Sequence, residues 1–77
     1  MPHVIVKLWP GKSDEQKSQL TEAIVRDVTS ILGCGDDSVS VSFLDIPAGD
    51  WIRKVFEPDI LGHWDQLTKT PGYGPRP

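Results

Sequence analysis

Residues 2–17 read PHVIVKLWPGKSDEQK, and the change of pattern inside this stretch decides the fold. From His3 to Trp9 the chain is rich in β-branched residues and alternates. Val4, Val6 and Leu8 lie on one side and His3, Ile5, Lys7 and Trp9 on the other, which predicts a strand with one apolar face. Pro10-Gly11 interrupts it. Ser13-Asp14-Glu15-Gln16 then has the form of a capping box, in which the Ser13 hydroxyl takes the amide of Gln16 and the Gln16 side chain reaches back to the amide of Ser13. A helix is predicted to start there.

Forward of this point, Leu20, Ala23, Ile24, Val28, Ile31 and Leu32 recur at three- and four-residue intervals. Lys17, Gln19, Glu22 and Arg26 are left to water. Gly33 suits a left-handed stop. After the turn GCGDD (residues 33–37), Ser38 to Phe43 alternates as SVSVSF, which predicts a second strand with Val39, Val41 and Phe43 on one face. Strand, helix, strand is a β-α-β unit of the α/β class, with parallel strands joined by a right-handed crossover. Two strands and one helix cannot cover a core, so the sheet is expected to continue into a second subunit.

Residues 46–70, IPAGDWIRKVFEPDILGHWDQLTKT, predict a turn or so of helix after Asp50 and a second short helix from Pro58. In that helix Ile60, Leu61, Trp64 and Leu67 fall on one side, as core or as subunit contact. The tail PGYGPRP (71–77) is expected to be irregular. The organisation expected is one domain over 1–77, with 52–77 as a C-terminal extension holding a short helix and an irregular tail.

Composition narrows the function classes. A chain of 77 residues buries only about 60% of the surface that its unfolded form exposes, and such chains often draw on stabilising help. One cysteine cannot form a disulfide within the chain. Cys34, between two glycines, reads as a turn residue, with a reactive thiol as the other reading. His3, His63 and Cys34 have no zinc-ligand spacing, so no metal is expected. Self-association remains. A net charge of −3 and a pI near 5.1 leave no basic stripe for nucleic acid. No apolar run approaches the ~20 residues of a membrane span, and no signal-peptide pattern precedes the first strand. A cytoplasmic protein is expected.

Pro2 is the odd residue. Proline has no amide for a sheet ladder and belongs at edges or first positions. If Met1 is removed, as the small residue after it permits, Pro2 becomes the N-terminus and its ring nitrogen a secondary amine. An α-amino group titrates at about 8, and partial desolvation beside a cation brings it toward about 7, where a general base works best. The competing reading is a tolerated terminal residue.

Taken together, Pro2 leading an alternating strand, the GKSDEQK helix start, the long helix, the Gly/Asp turn, the S-V-S-V strand and Gly49-Asp50-Trp51 resemble the 4-oxalocrotonate tautomerase family of the tautomerase superfamily. The resemblance runs from Pro2 to about Trp51. The remainder is similar to longer-tailed bacterial members of the phenylpyruvate tautomerase type, which end in a P-G-Y segment, here Pro71-Gly72-Tyr73. The resemblance implies cofactor-independent keto–enol tautomerisation of a small 2-oxo acid, with Pro2 as the general base.

It also implies two cationic positions that hold and polarise the substrate. The first is Lys12, which keeps the charge of the family arginine but loses its bidentate fork. The second is Ser40, which carries no charge. A substrate with one carboxylate and an apolar end, such as the enol of phenylpyruvate, therefore fits better than a dicarboxylate. The aromatic wall of the family maps to Trp51. Against these readings stand a solvated turn lysine, a plain strand serine and a core tryptophan. Members pair into a four-stranded sheet with helices on one face, and such dimers also form hexamers; the residues added at the end favour the dimer here. Hydratase or dehalogenase chemistry, or a non-catalytic dimeric binding module, are the alternatives.

Overall fold

The computed structural model describes all residues, Met1–Pro77. Strand β1 spans His3–Leu8, helix α1 Asp14–Leu32 and strand β2 Ser40–Asp45; a 3₁₀ turn over Asp36–Ser38 leads into β2. These form one compact unit, Met1–Asp45, and Ile46–Pro77 form a second.

In the first unit β1 and β2 pair in parallel, in a register running from His3 opposite Ser40 to Leu8 opposite Asp45. A parallel pair needs a long crossover, and α1 supplies it. The capping box is present: the Gln16 amide donates to Ser13 Oγ at 3.0 Å, and the Ser13 amide donates to Gln16 Oε1 at 2.9 Å. At the other end Gly33 has φ 70° and its amide donates to the Thr29 carbonyl. Lys17 Nζ meets Asp45 Oδ1 at 3.1 Å, tying the start of α1 to the end of β2. Half-exposed as it is, such a pair contributes at most about 1 kcal/mol.

No side chain of this unit is fully buried. Val4, Val6, Leu8, Val41 and Phe43 are partly covered, whereas Ile5 is 55% and Leu44 49% exposed. Two helix positions expected in the core, Ile31 and Leu32, stand largely in water. Length explains them: a helix of 19 residues runs about 28 Å at 1.5 Å per residue, while six-residue strands run about 20 Å. The last turn of α1 therefore outreaches the sheet.

The second strand starts at Ser40 rather than at Ser38. Ser38 Oγ and the Ser38 amide both donate to the Gly35 carbonyl, at 2.8 and 3.1 Å. Serine satisfies the turn locally and delays the ladder by two residues.

The second unit opens with a 3₁₀ turn over Ala48–Asp50, followed by a π-helical segment over Ile52–Ile60 and a 3₁₀ segment over Leu61–Gln66. The sequence predicts a new helix from Pro58, but Pro58 lies inside the π-helical segment and the break comes at Leu61. Proline lacks an amide and its ring crowds the carbonyl four residues back in an α-helix; the segment holding Pro58 instead winds with the i→i+5 spacing of a π-helix. Ile46, Val55 and Phe56 are the buried residues, Phe56 being 1% exposed. Ile60, Leu61, Trp64 and Leu67 are half-buried. The tail is irregular but packed. Tyr73 lies against Phe56 with ring centroids 5.6 Å apart, and Arg76 sits over the Trp64 ring at 5.9 Å.

Candidate functional site

Parallel pairing puts the starts of both strands at one end of the sheet, and Pro2 sits there. Its carbonyl accepts the amide of Ser40 at 3.2 Å, so the first strand is held against the second from its outermost residue. Met1 beyond it is 98% exposed, and its loss removes almost no packing. Beside Pro2, the register sets His3 opposite Ser40. Their side chains meet, His3 Nδ1 to Ser40 Oγ at 2.6 Å.

Lys12 lies elsewhere. It follows β1 at the far end and lines a cavity of about 210 Å³ with Leu8, Gln16, Lys17, Leu20 and Phe43. The length of β1, about 20 Å at 3.3 Å per residue, separates it from Pro2. One chain therefore brings Pro2 and Ser40 together and leaves Lys12 at the opposite end of the same sheet.

Trp51 belongs to the second unit, between the Ala48–Asp50 turn and the π-helical segment. Arg53 and Lys54 both reach the Asp50 carboxylate, at 3.3 and 3.4 Å, and steady the turn that presents Trp51. The Trp51 indole N–H donates to the hydroxyl of Tyr73 at 3.0 Å. No group of three or more His, Cys, Asp or Glu side chains is placed to hold a metal ion.

Sequence reasoning singled out neither His3 nor Tyr73 for the site. The His3 contact depends on the strand register, which no local pattern specifies. The Tyr73 contact spans 22 positions through an irregular tail. The one available signal was Tyr73 in the Pro71-Gly72-Tyr73 segment.

A family model described as "Tautomerase enzyme" matches residues 2–57. The chain belongs to the tautomerase family. It is 39% identical over 74 residues to a protein of Xylella fastidiosa named as a probable tautomerase, covering 96% of this chain and 90% of that one. It is also 39% identical to the tautomerase PptA of Pectobacterium carotovorum, covering 95% and 97% of the two chains. Among solved structures, that of YwhB, a homologue of 4-oxalocrotonate tautomerase, matches with a TM-score of 0.58 at 30% identity, over 60% of this chain and 75% of that one. As a family member the protein is an isomerase, and its parallel β-α-β unit is the family fold.

Proposed function

We propose that the protein interconverts the enol and keto forms of a small 2-oxo acid of the phenylpyruvate kind, without a cofactor, using Pro2 as the base after loss of Met1. The observation that carries this reading is the placement of Pro2. It is held by Ser40 at the sheet end, behind a methionine that packs against almost nothing. Freed of Met1, the prolyl nitrogen is a neutral secondary amine with a lone pair. It takes the enol hydroxyl proton as the carbonyl forms and returns that proton to the neighbouring carbon. The charge that appears on nitrogen in the first half is discharged in the second.

Lys12 is the cation proposed for the substrate carboxylate. Since it stands at the opposite end of the sheet from Pro2, the complete site takes Lys12 from a second copy of the chain. Exposed Ile5, Trp9 and Leu44, together with a first unit that buries no side chain, support self-association. We propose a dimer with a four-stranded sheet, in which 1–77 acts as a single tautomerase domain and 52–77 as its extension. Trp51 is the proposed aromatic wall. The uncharged Ser40 favours substrates with one carboxylate. No helix is long and apolar enough to cross a membrane; a cytoplasmic location is part of this proposal.

The test is ketonisation of the phenylpyruvate enol by protein whose intact mass shows Met1 gone. Pro2→Ala is expected to lower kcat/KM by about 10²-fold or more, the scale of losing a positioned general base. Retained activity overturns the reading. A folded wild type that binds the enol without turnover would make the chain a binding module.

A further inference from the structure

The side chains nearest in register to the proposed base are those of His3 and Ser40, and their contact has no evident structural purpose. Both residues are exposed, and a hydrogen bond in contact with water adds little to stability. Yet the two are held opposite each other at the first rung of the ladder, 2.6 Å apart. The Ser40 amide is bonded to the Pro2 carbonyl on the same rung.

We infer that His3 and Ser40 form an uncharged donor–acceptor pair that receives the substrate oxygen whose proton Pro2 moves, making His3 a further catalytic residue. The inference rests on the Pro2 reading. Neutral imidazole has one N–H and one lone pair, and a serine hydroxyl has one O–H and two lone pairs. If Ser40 donates to Nδ1, the imidazole turns its Nε2–H outward. If Nδ1–H donates to Ser40, the hydroxyl proton turns outward instead. In both arrangements the pair offers one outward donor and at least one outward acceptor, with no net charge.

That offer matches the reacting oxygen. In the enol it carries a proton, and in the ketone it only accepts. As the proton leaves toward Pro2, negative charge gathers on the oxygen and the bond from the outward donor strengthens. Interactions that grow toward the transition state raise kcat. A neutral pair also offers a second carboxylate a single hydrogen bond and no opposite charge. Selection for one-carboxylate 2-oxo acids thus follows from the pair as a whole, with His3 supplying the polarisation that an uncharged serine lacks.

Three variants of the Met1-free protein test this in the phenylpyruvate enol assay, with Pro2→Ala measured alongside. His3→Phe keeps a ring suited to the strand and removes both polar atoms. It is expected to lower kcat by about 10-fold to 100-fold, at the lower end of what a lost oxyanion donor costs, with KM changed by less than about threefold. His3→Gln keeps a neutral donor and acceptor and is expected to recover most of that loss. Ser40→Ala leaves the imidazole unoriented and is expected to lower kcat by a smaller factor. Ser40→Ala also decides the matter should His3→Phe fail to fold. The inference is overturned if His3→Phe, or Ser40→Ala in its place, has the kcat of the wild type while Pro2→Ala is inactive. If Pro2→Ala is active, the base reading falls and this inference with it.

Discussion

The indole N–H of Trp51 donates to the hydroxyl of Tyr73 at 3.0 Å, and the same tyrosine ring leans on buried Phe56. The tail thereby sets the orientation of the tryptophan proposed as the aromatic wall. Tyr73→Phe keeps the ring contact and removes the acceptor. It is expected to cost about 0.5–1.5 kcal/mol in denaturant unfolding and to shift the Trp51 emission, read in a Trp9→Phe, Trp64→Phe background. Unchanged emission would mean that the hydrogen bond does not persist in solution.

A glycine holds that tail in place. Gly74 has φ +79°, and a Cβ built on it would lie 2.5 Å from Phe56 Cζ. Phe56 is almost fully buried, so its ring has little room to retreat. Gly74→Ala combines an unfavourable backbone region with overpacking, and is expected to cost about 1–3 kcal/mol. In a chain of this size each kcal/mol lowers Tm by roughly 4–8 °C. Calorimetry that finds the wild-type Tm would refute the close packing of the tail.

Lys12 and Ser40 make separable predictions about the substrate. Lys12→Ala is expected to lower kcat/KM for one-carboxylate and two-carboxylate enols alike, because each has a carboxylate for it to meet. Ser40→Arg is expected to favour the two-carboxylate enol selectively. A well-formed charge-assisted contact contributes about 1.5–3 kcal/mol, or roughly 10-fold to 150-fold, and less if the arginine stays solvated. An unchanged ratio between the two enols would show that Ser40 does not face the substrate.

The separation of Lys12 from Pro2 along β1 predicts complementation. Pro2→Ala and Lys12→Ala chains, each nearly inactive alone, are expected to regain activity when refolded together, since a mixed assembly holds one site with both groups intact. No recovery in a mixture that sedimentation shows to be associated would place Lys12 outside the site.

What the sequence disclosed was local. The strand at His3–Leu8 announced itself by alternation, and α1 by the Ser13 and Gln16 capping pair and by Gly33, because these signals involve residues a few positions apart. Ser38 misled by two residues, since its alternation with Val39 is indifferent to whether its side chain bonds a turn carbonyl. Pro58 suggested a helix start, but whether a proline begins a helix or is absorbed by a wider winding depends on packing around Val55 and Phe56. In the candidate site, Pro2 stood out as a proline leading a strand, whereas Lys12, Ser40 and Trp51 were named through the family resemblance. His3 with Ser40, 37 positions apart, and Trp51 with Tyr73 were hidden, because each pair exists only after distant parts of the chain have met.

The exposed Met1 and the placement of Pro2 and Lys12 at opposite ends of one strand bear on when a new chain starts to work. In the scheme proposed here, a chain leaving the ribosome is silent twice over. Its proline nitrogen is still an amide, and its cation lies out of reach of its own base. The first lock opens by a single peptide cleavage, at a rate independent of how many chains are present. The second opens by an encounter between two chains, at a rate that grows with the square of their concentration. A cell that makes little of this protein would therefore hold unassembled and idle copies, and catalysis would switch on with abundance more steeply than in proportion.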